Sequence, residues 1–199
     1  MGPARLPRPA RVDRPAPPRG SPERALRPRG PRRLDRAPPR VRFRCQPADL
    51  GLLETAPKRI VTERELPAST AVVFELFADP SRWSEWFPAI QRGRWTSSET
   101  HQVGATRAVT LTTMTVYERF LAWEPGARFS FCFTHTSVPC FVRSMVEDYR
   151  LEPLGEDRCK LIWTVAYEPR LIARVAGGGM PDMFAAAGDG LVSYLERRG

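Results

Sequence analysis

RFSFCFTHTSVPCFVRSMVEDYRLEPLGEDRCKLIWTVAY, residues 128–167, changes from apolar to polar at nearly every second position. A period of two is that of an extended chain whose side chains point alternately to opposite faces of a sheet. The stretch divides into strands over Arg128–Thr136, Cys140–Leu154 and Arg158–Tyr167, the last two joined by the polar turn Gly155-Glu156-Asp157. The same period runs upstream through Ile90–Thr96, Gly104–Thr112 and Met114–Trp123, with Glu124-Pro125-Gly126-Ala127 as a further hairpin turn. Six successive strands joined in this way predict an antiparallel meander.

The flanks carry a different period. Before the meander, Arg59–Leu66 reads as a first strand, and Pro67-Ala68-Ser69 offers a turn and a Ser N-cap. The helix that follows places Val72, Val73, Leu76 and Phe77 on one side and stops at Asp79-Pro80, since a residue before proline is pushed out of the α region. Ser81–Phe87 reads as a second helical turn. After the meander, Pro181 opens a long helix on which Met180, Met183, Phe184, Ala187, Leu191 and Leu195 form one stripe. That stripe must be buried, and the large apolar surface available to it is the concave face of the sheet. The fold class expected is α+β: a curved antiparallel sheet wrapped around a long C-terminal helix, two short helices after the first strand, and an apolar cavity between sheet and helix. Gly177-Gly178-Gly179 reads as a joint before that helix.

Charge separates the chain into two parts. The net charge is +9, and residues 1–57 account for all of it, with 14 Arg, no Lys and 5 acidic residues; residues 58–199 hold 17 basic and 17 acidic side chains. Residues 1–57 also carry 13 of the 21 Pro and no periodic apolar run able to offset the entropy of ordering. They read as a disordered Arg/Pro-rich arm, and 58–199 as the folded domain. Nucleic acid or an anionic surface would be contacted only through that arm. The chain has 29 Arg, 2 Lys and no Asn, the composition of a GC-rich gene, so the arm is also compatible with a start site assigned upstream of the true one, Val61 fitting a GUG codon.

Several classes are excluded by pattern. No run approaches the ~20 apolar residues of a membrane span, and no signal-peptide core opens the chain, which leads to the expectation of a cytoplasmic protein. Cys45, Cys132, Cys140 and Cys159 lack metal-ligand spacing and read as buried thiols, and His101 and His135 form no paired motif, so neither metal nor cofactor is expected. His101 sits in a polar loop and reads as solvent exposed.

Alternation then proposes a cavity lining. Phe129, Phe131, Phe133 and His135 share one face; so do Leu161, Trp163, Val165 and Tyr167; Arg143, Met145, Glu147 and Tyr149 share another, and Arg107 falls with Val109 and Leu111. The ligand-facing set is completed by Tyr117 and by two rims, Trp86 with Phe87 and Met180 with Met183 and Phe184. Each residue also has a packing reading: aromatic stripes build cores, and Trp83, Trp86 and Phe87 suit the contact of short helices with the sheet. On the functional reading, Arg107 or Arg143 would stabilise a developing enolate while Glu147 or Tyr149 moves a proton.

Four segments together resemble the polyketide cyclase/dehydrase family of the START-like, helix-grip superfamily: Glu65-Leu66-Pro67-Ala68, Val72–Pro80, Arg82–Pro88 and Glu124–Phe129. The resemblance covers residues 58–199 and none of the arm. It implies a helix-grip fold and a small apolar or aromatic ligand of the lipid, quinone or polyketide kind. It leaves open a carrier or a cofactor-independent cyclase/dehydratase, since this fold hosts both.

Overall fold

The structure, a computed structural model, describes residues 42–139, 142–170 and 179–198. Among these residues eight strands form one antiparallel, curved sheet: β1 (Phe43–Arg44), β2 (Lys58–Leu66), β3 (Ile90–Trp95), β4 (Thr106–Leu111), β5 (Thr115–Glu124), β6 (Arg128–Thr136), β7 (Val142–Pro153) and β8 (Cys159–Pro169). Their order is β2-β8-β7-β6-β5-β4-β3, so the six-stranded meander is present as expected and the first strand closes onto its last. Helices α2 (Thr70–Ala78) and α3 (Met180–Glu196) also stand where the period placed them. The Ser69 hydroxyl accepts from Val72 N at 3.4 Å, the N-cap bond that starts α2. The segment after it is a 3-10 helix, Pro80–Glu85, begun by Asp79 accepting from Ser81 N. The Gly177–Gly179 joint lies, apart from Gly179, outside the described residues, as do Cys140 and Phe141.

The arm boundary needs correction. Residues 42–57 are folded: they form β1 and a one-turn helix, α1 (Leu52–Thr55), and bury Cys45. The reason lies in the sheet. Strands β6 and β7 pair only over Arg128–Cys132 and Val146–Arg150, and beyond that they part. Into the gap comes β1, with Cys45 N donating to Thr134 O at 2.9 Å and Gln46 N donating to Arg143 O at 2.8 Å. Backbone groups that would otherwise be buried without partners are thereby satisfied. The arm expected over the remaining residues, 1–41, lies outside those described. Cys45, Cys132 and Cys159 are buried, as expected of small thiols.

Helix α3 lies in the concave face and buries Met180, Phe184, Ala187, Leu191, Tyr194 and Leu195. Two glycines let it approach. A Cβ on Gly190 would stand 2.3 Å from the backbone oxygen of Trp86, and one on Gly188 would stand 3.1 Å from Cγ2 of Thr62. The C-terminal part of α3 is then pinned by polar contacts: Arg82 Nη2 donates to the Tyr194 hydroxyl (2.6 Å), that hydroxyl donates to Glu85 (2.9 Å), and Arg64 Nε meets Asp189 (2.8 Å).

These contacts separate two substitutions that helix propensity alone would treat alike, since Ala is favoured over Gly inside a helix by about 1 kcal/mol. Gly190→Ala collides with backbone and is expected to cost about 1–3 kcal/mol net, lowering Tm by about 2–4 °C per kcal/mol. Gly188→Ala meets only side chains that can shift and is expected to leave Tm nearly unchanged. Thermal denaturation of the two variants measures the difference.

Candidate functional site

A cavity of about 60 Å³ lies between the strands and α3. Its walls are Val109 and Leu111 of β4, Val116 of β5, Phe131 and Phe133 of β6, Met145 of β7, and Trp83, Phe87, Ile90 and Met114 beside them. Met180, Met183 and Phe184 of α3 close it. Among the described residues, three polar side chains reach the lining: Glu118, Glu147 and Tyr149.

Glu147 is held by two donors to the same oxygen, Oε2: the Tyr149 hydroxyl at 2.9 Å and Trp163 Nε1 at 3.0 Å. Tyr149 is fixed in turn by stacking, with Phe129 at 4.4 Å on one ring contact and Trp163 at 4.7 Å on another. Burial pushes the Glu147 carboxyl up to about 7, and the negative charge of Glu118 adds to the rise. Burial and then the neighbouring Glu147 push the Tyr149 phenol well above its ordinary range.

Glu118 is paired with Arg107. Arg107 Nε donates to Oε2 at 2.7 Å, and Nη2 lies 2.6 Å from the same oxygen without the alignment of a hydrogen bond. The guanidinium is fully buried, stacked 4.0 Å over Trp83 and within 5.0 Å of the rings of Phe120 and Phe131. Its Nη1 makes no hydrogen bond among the described residues. Burial raises the Glu118 carboxyl and the Arg107 charge opposes that rise.

The lining expected from sequence is brought together in part. Glu147, Tyr149, Phe87, Val109, Phe131, Phe133, Met180, Met183 and Phe184 line the cavity; Arg107 stands behind the wall, its charge engaged by Glu118. Arg143 is exposed, because the β7–β8 register shifts between Val142 and Ser144 and leaves Arg143 as the extra residue, out of the alternation that Met145 resumes. His135 and Tyr117 pair with each other away from the lining. A register shift between Tyr117 and Glu118 makes Thr134 an extra residue on β6, so the inward parity of Phe129, Phe131 and Phe133 stops before His135. Tyr117 instead lies under the Arg42 guanidinium, 4.1 Å from its ring centre. Trp163 acts from behind the wall through its bond to Glu147, Tyr167 sits half-buried beyond the lining, and Trp86 is packed among Phe77, Trp83 and Phe87. His101 is exposed as expected, although its ring packs edge-on against Trp95 and Trp123.

Glu118 was not among the residues expected here. The signal for it is present: it alternates with Val116 and Phe120, two apolar residues that are both buried. An acid at an apolar parity is the mark of a buried charge.

Removing one partner of a buried ion pair strands the other, at a cost of about 3–5 kcal/mol. Arg107→Leu is therefore expected to destabilise the protein by that amount in urea denaturation. The double variant Arg107→Leu/Glu118→Leu is expected to recover much of the loss, because no unpaired charge remains. Glu147 makes stability depend on pH in a definite direction. Its folded value, about 7, lies above its ordinary 4.5, so the fold favours the neutral acid; the full stability is present below about 4.5 and is lost as pH rises towards 7. The loss is roughly 3 kcal/mol by linkage. Tm is expected to fall between about pH 5 and pH 8, and to fall less in Glu147→Gln.

The fold is shared by several solved structures. A protein from Thermobifida fusca is 22% identical, with a TM-score of 0.57, over 70% of this chain and 93% of that one. The Zhui aromatase/cyclase from Streptomyces sp. R1128 is 16% identical, with a TM-score of 0.58, over 71% and 94%. A START superfamily protein from Mycobacterium smegmatis is 12% identical, with a TM-score of 0.58, over 71% and 99%. At these identities the likeness is one of fold. A comparison with curated proteins finds no match. Residues 57–196 match the family described as polyketide cyclase / dehydrase and lipid transport, and the chain belongs to that family.

Proposed function

We propose that the domain binds a small apolar or aromatic molecule in the cavity between the sheet and α3. The observation that carries this reading is a space whose lining, among the described residues, is mostly aromatic and aliphatic, with its polar groups gathered at Glu118, Glu147 and Tyr149. Its volume, about 60 Å³, limits the ligand. An apolar cavity that takes benzene measures roughly 150 Å³, so a lipid chain, quinone or polyketide-sized ring would require the wall to yield. Met180 and Met183 are suited to that, being unbranched and adaptable.

A second reading, a cofactor-independent cyclase/dehydratase, is favoured by Glu147 alone. A carboxyl titrating near neutrality can take a proton from the carbon beside a carbonyl and return it to a departing hydroxyl, so that water leaves. The binding reading stands first because the cation expected to steady an enolate, Arg107, is behind the wall and engaged by Glu118.

Native mass spectrometry of the full chain from its host, compared with Val109→Trp, tests the binding reading. The expected result is a small molecule retained by the native protein, released on denaturation, and lost in a folded variant whose cavity is filled. Wild-type protein that carries nothing and shows no thermal shift with small aromatic compounds would overturn it.

A further inference from the structure

Among the described residues the charges facing the cavity do not balance, and on the binding reading above this points to the kind of ligand. Glu118 and Glu147 both line the cavity, at 3% and 6% exposure. Glu118 has Arg107 against it, on Oε2. Glu147 is met by two neutral donors, both on Oε2, and among the described residues no cation contacts it. The Oε1 atoms of both carboxylates make no hydrogen bond among the described residues, so each keeps acceptor capacity at a cavity wall.

The groups around Glu147 are Glu118 from β5, Arg107 from β4, Tyr149 on its own strand and Trp163 from β8; α3 contributes only Met180, Met183 and Phe184 to the lining. A ligand bringing a carboxylate would therefore set like charges together where the dielectric is low. A ligand that brings a positive charge meets two carboxylates and the ring faces of an aromatic wall, whose quadrupoles also attract a cation. We propose that the cavity takes a small primary amine with a compact apolar or aromatic body, bound as its ammonium, which donates to the Oε1 atoms of Glu147 and Glu118. The raised carboxyl of Glu147 agrees with this, since burial and then the charge of Glu118 cause it and an ammonium would relieve both. Binding then depends on the ionised form of Glu147 and weakens below pH 7, the amine staying protonated throughout.

Isothermal titration of the full chain tests this with two matched sets of probes: benzylamine, benzyl alcohol and benzoate, and the smaller isobutylamine, isobutanol and isobutyrate. At about pH 8, the amine of at least one set is expected to bind about 10–100-fold more tightly than its alcohol and acid, the range of a hydrogen bond to a charged group. Amine affinity is expected to fall about tenfold per pH unit below 7. Glu147→Gln, with its fold checked by circular dichroism, is expected to lose the preference. An alcohol or carboxylate that binds as well as the amine overturns the proposal and leaves the binding reading standing, as does a preference that survives in Glu147→Gln. If that variant does not fold, the wild-type pH profile decides, and an affinity unchanged between pH 8 and pH 6 overturns the proposal. If none of the six probes binds, the proposal fails, and the binding reading is decided by the mass spectrometry above.

Discussion

Helix α3 lies in the concave face of the sheet beside α2, and how closely its backbone can approach shapes the interior. Along the C-terminal part of α3 the approach is close. Gly190 passes over the Trp86 carbonyl, Gly188 over Thr62, and the Tyr194 hydroxyl joins Arg82 to Glu85. At the N-terminal end Met180, Met183 and Phe184 face the sheet across the cavity. The cavity is the space left at that end.

Into this apolar interior the strands deliver one cation and two acids. Water solvates none of them, so each must be answered by protein. Arg107 and Glu118 answer one another, and Trp83, Phe120 and Phe131 surround the guanidinium with ring faces. Glu147 has hydrogen bonds from Tyr149 and Trp163 and, among the described residues, no cation in contact; burial and then the charge of Glu118 hold its proton up to near neutrality. The difference between the two acids is one of partners, since both are buried to a similar degree. A pair in low dielectric can remain charged, whereas a lone carboxylate there gains by taking a proton.

Much of the fold was legible because period is local. The alternation of Phe129, Phe131 and Phe133 and the stripe from Met180 to Leu195 each report one face of one element, and both faces are buried as expected. The lining was less legible because alternation is carried from residue to residue and fails at an extra one. Arg143 and Thr134 are such residues. Beyond them the inferred faces were wrong for Arg143 and His135. The segment 42–57 was misread for a related reason. Its composition is that of an arm, and it is ordered by a gap between two strands that are distant from it in sequence.

From the sequence by itself follow the order of the elements, the antiparallel meander, the burial of one long helix and the inward placing of the acid Glu147. These depend on side-chain period and turn composition, which each segment carries within itself. Only the tertiary structure decided which acid Arg107 would neutralise, that Glu147 would be left with neutral donors, and that β1 would complete the sheet. Those outcomes depend on cross-strand register, and register is set by hydrogen bonds between strands and by the bulges that shift them, neither of which any one segment contains.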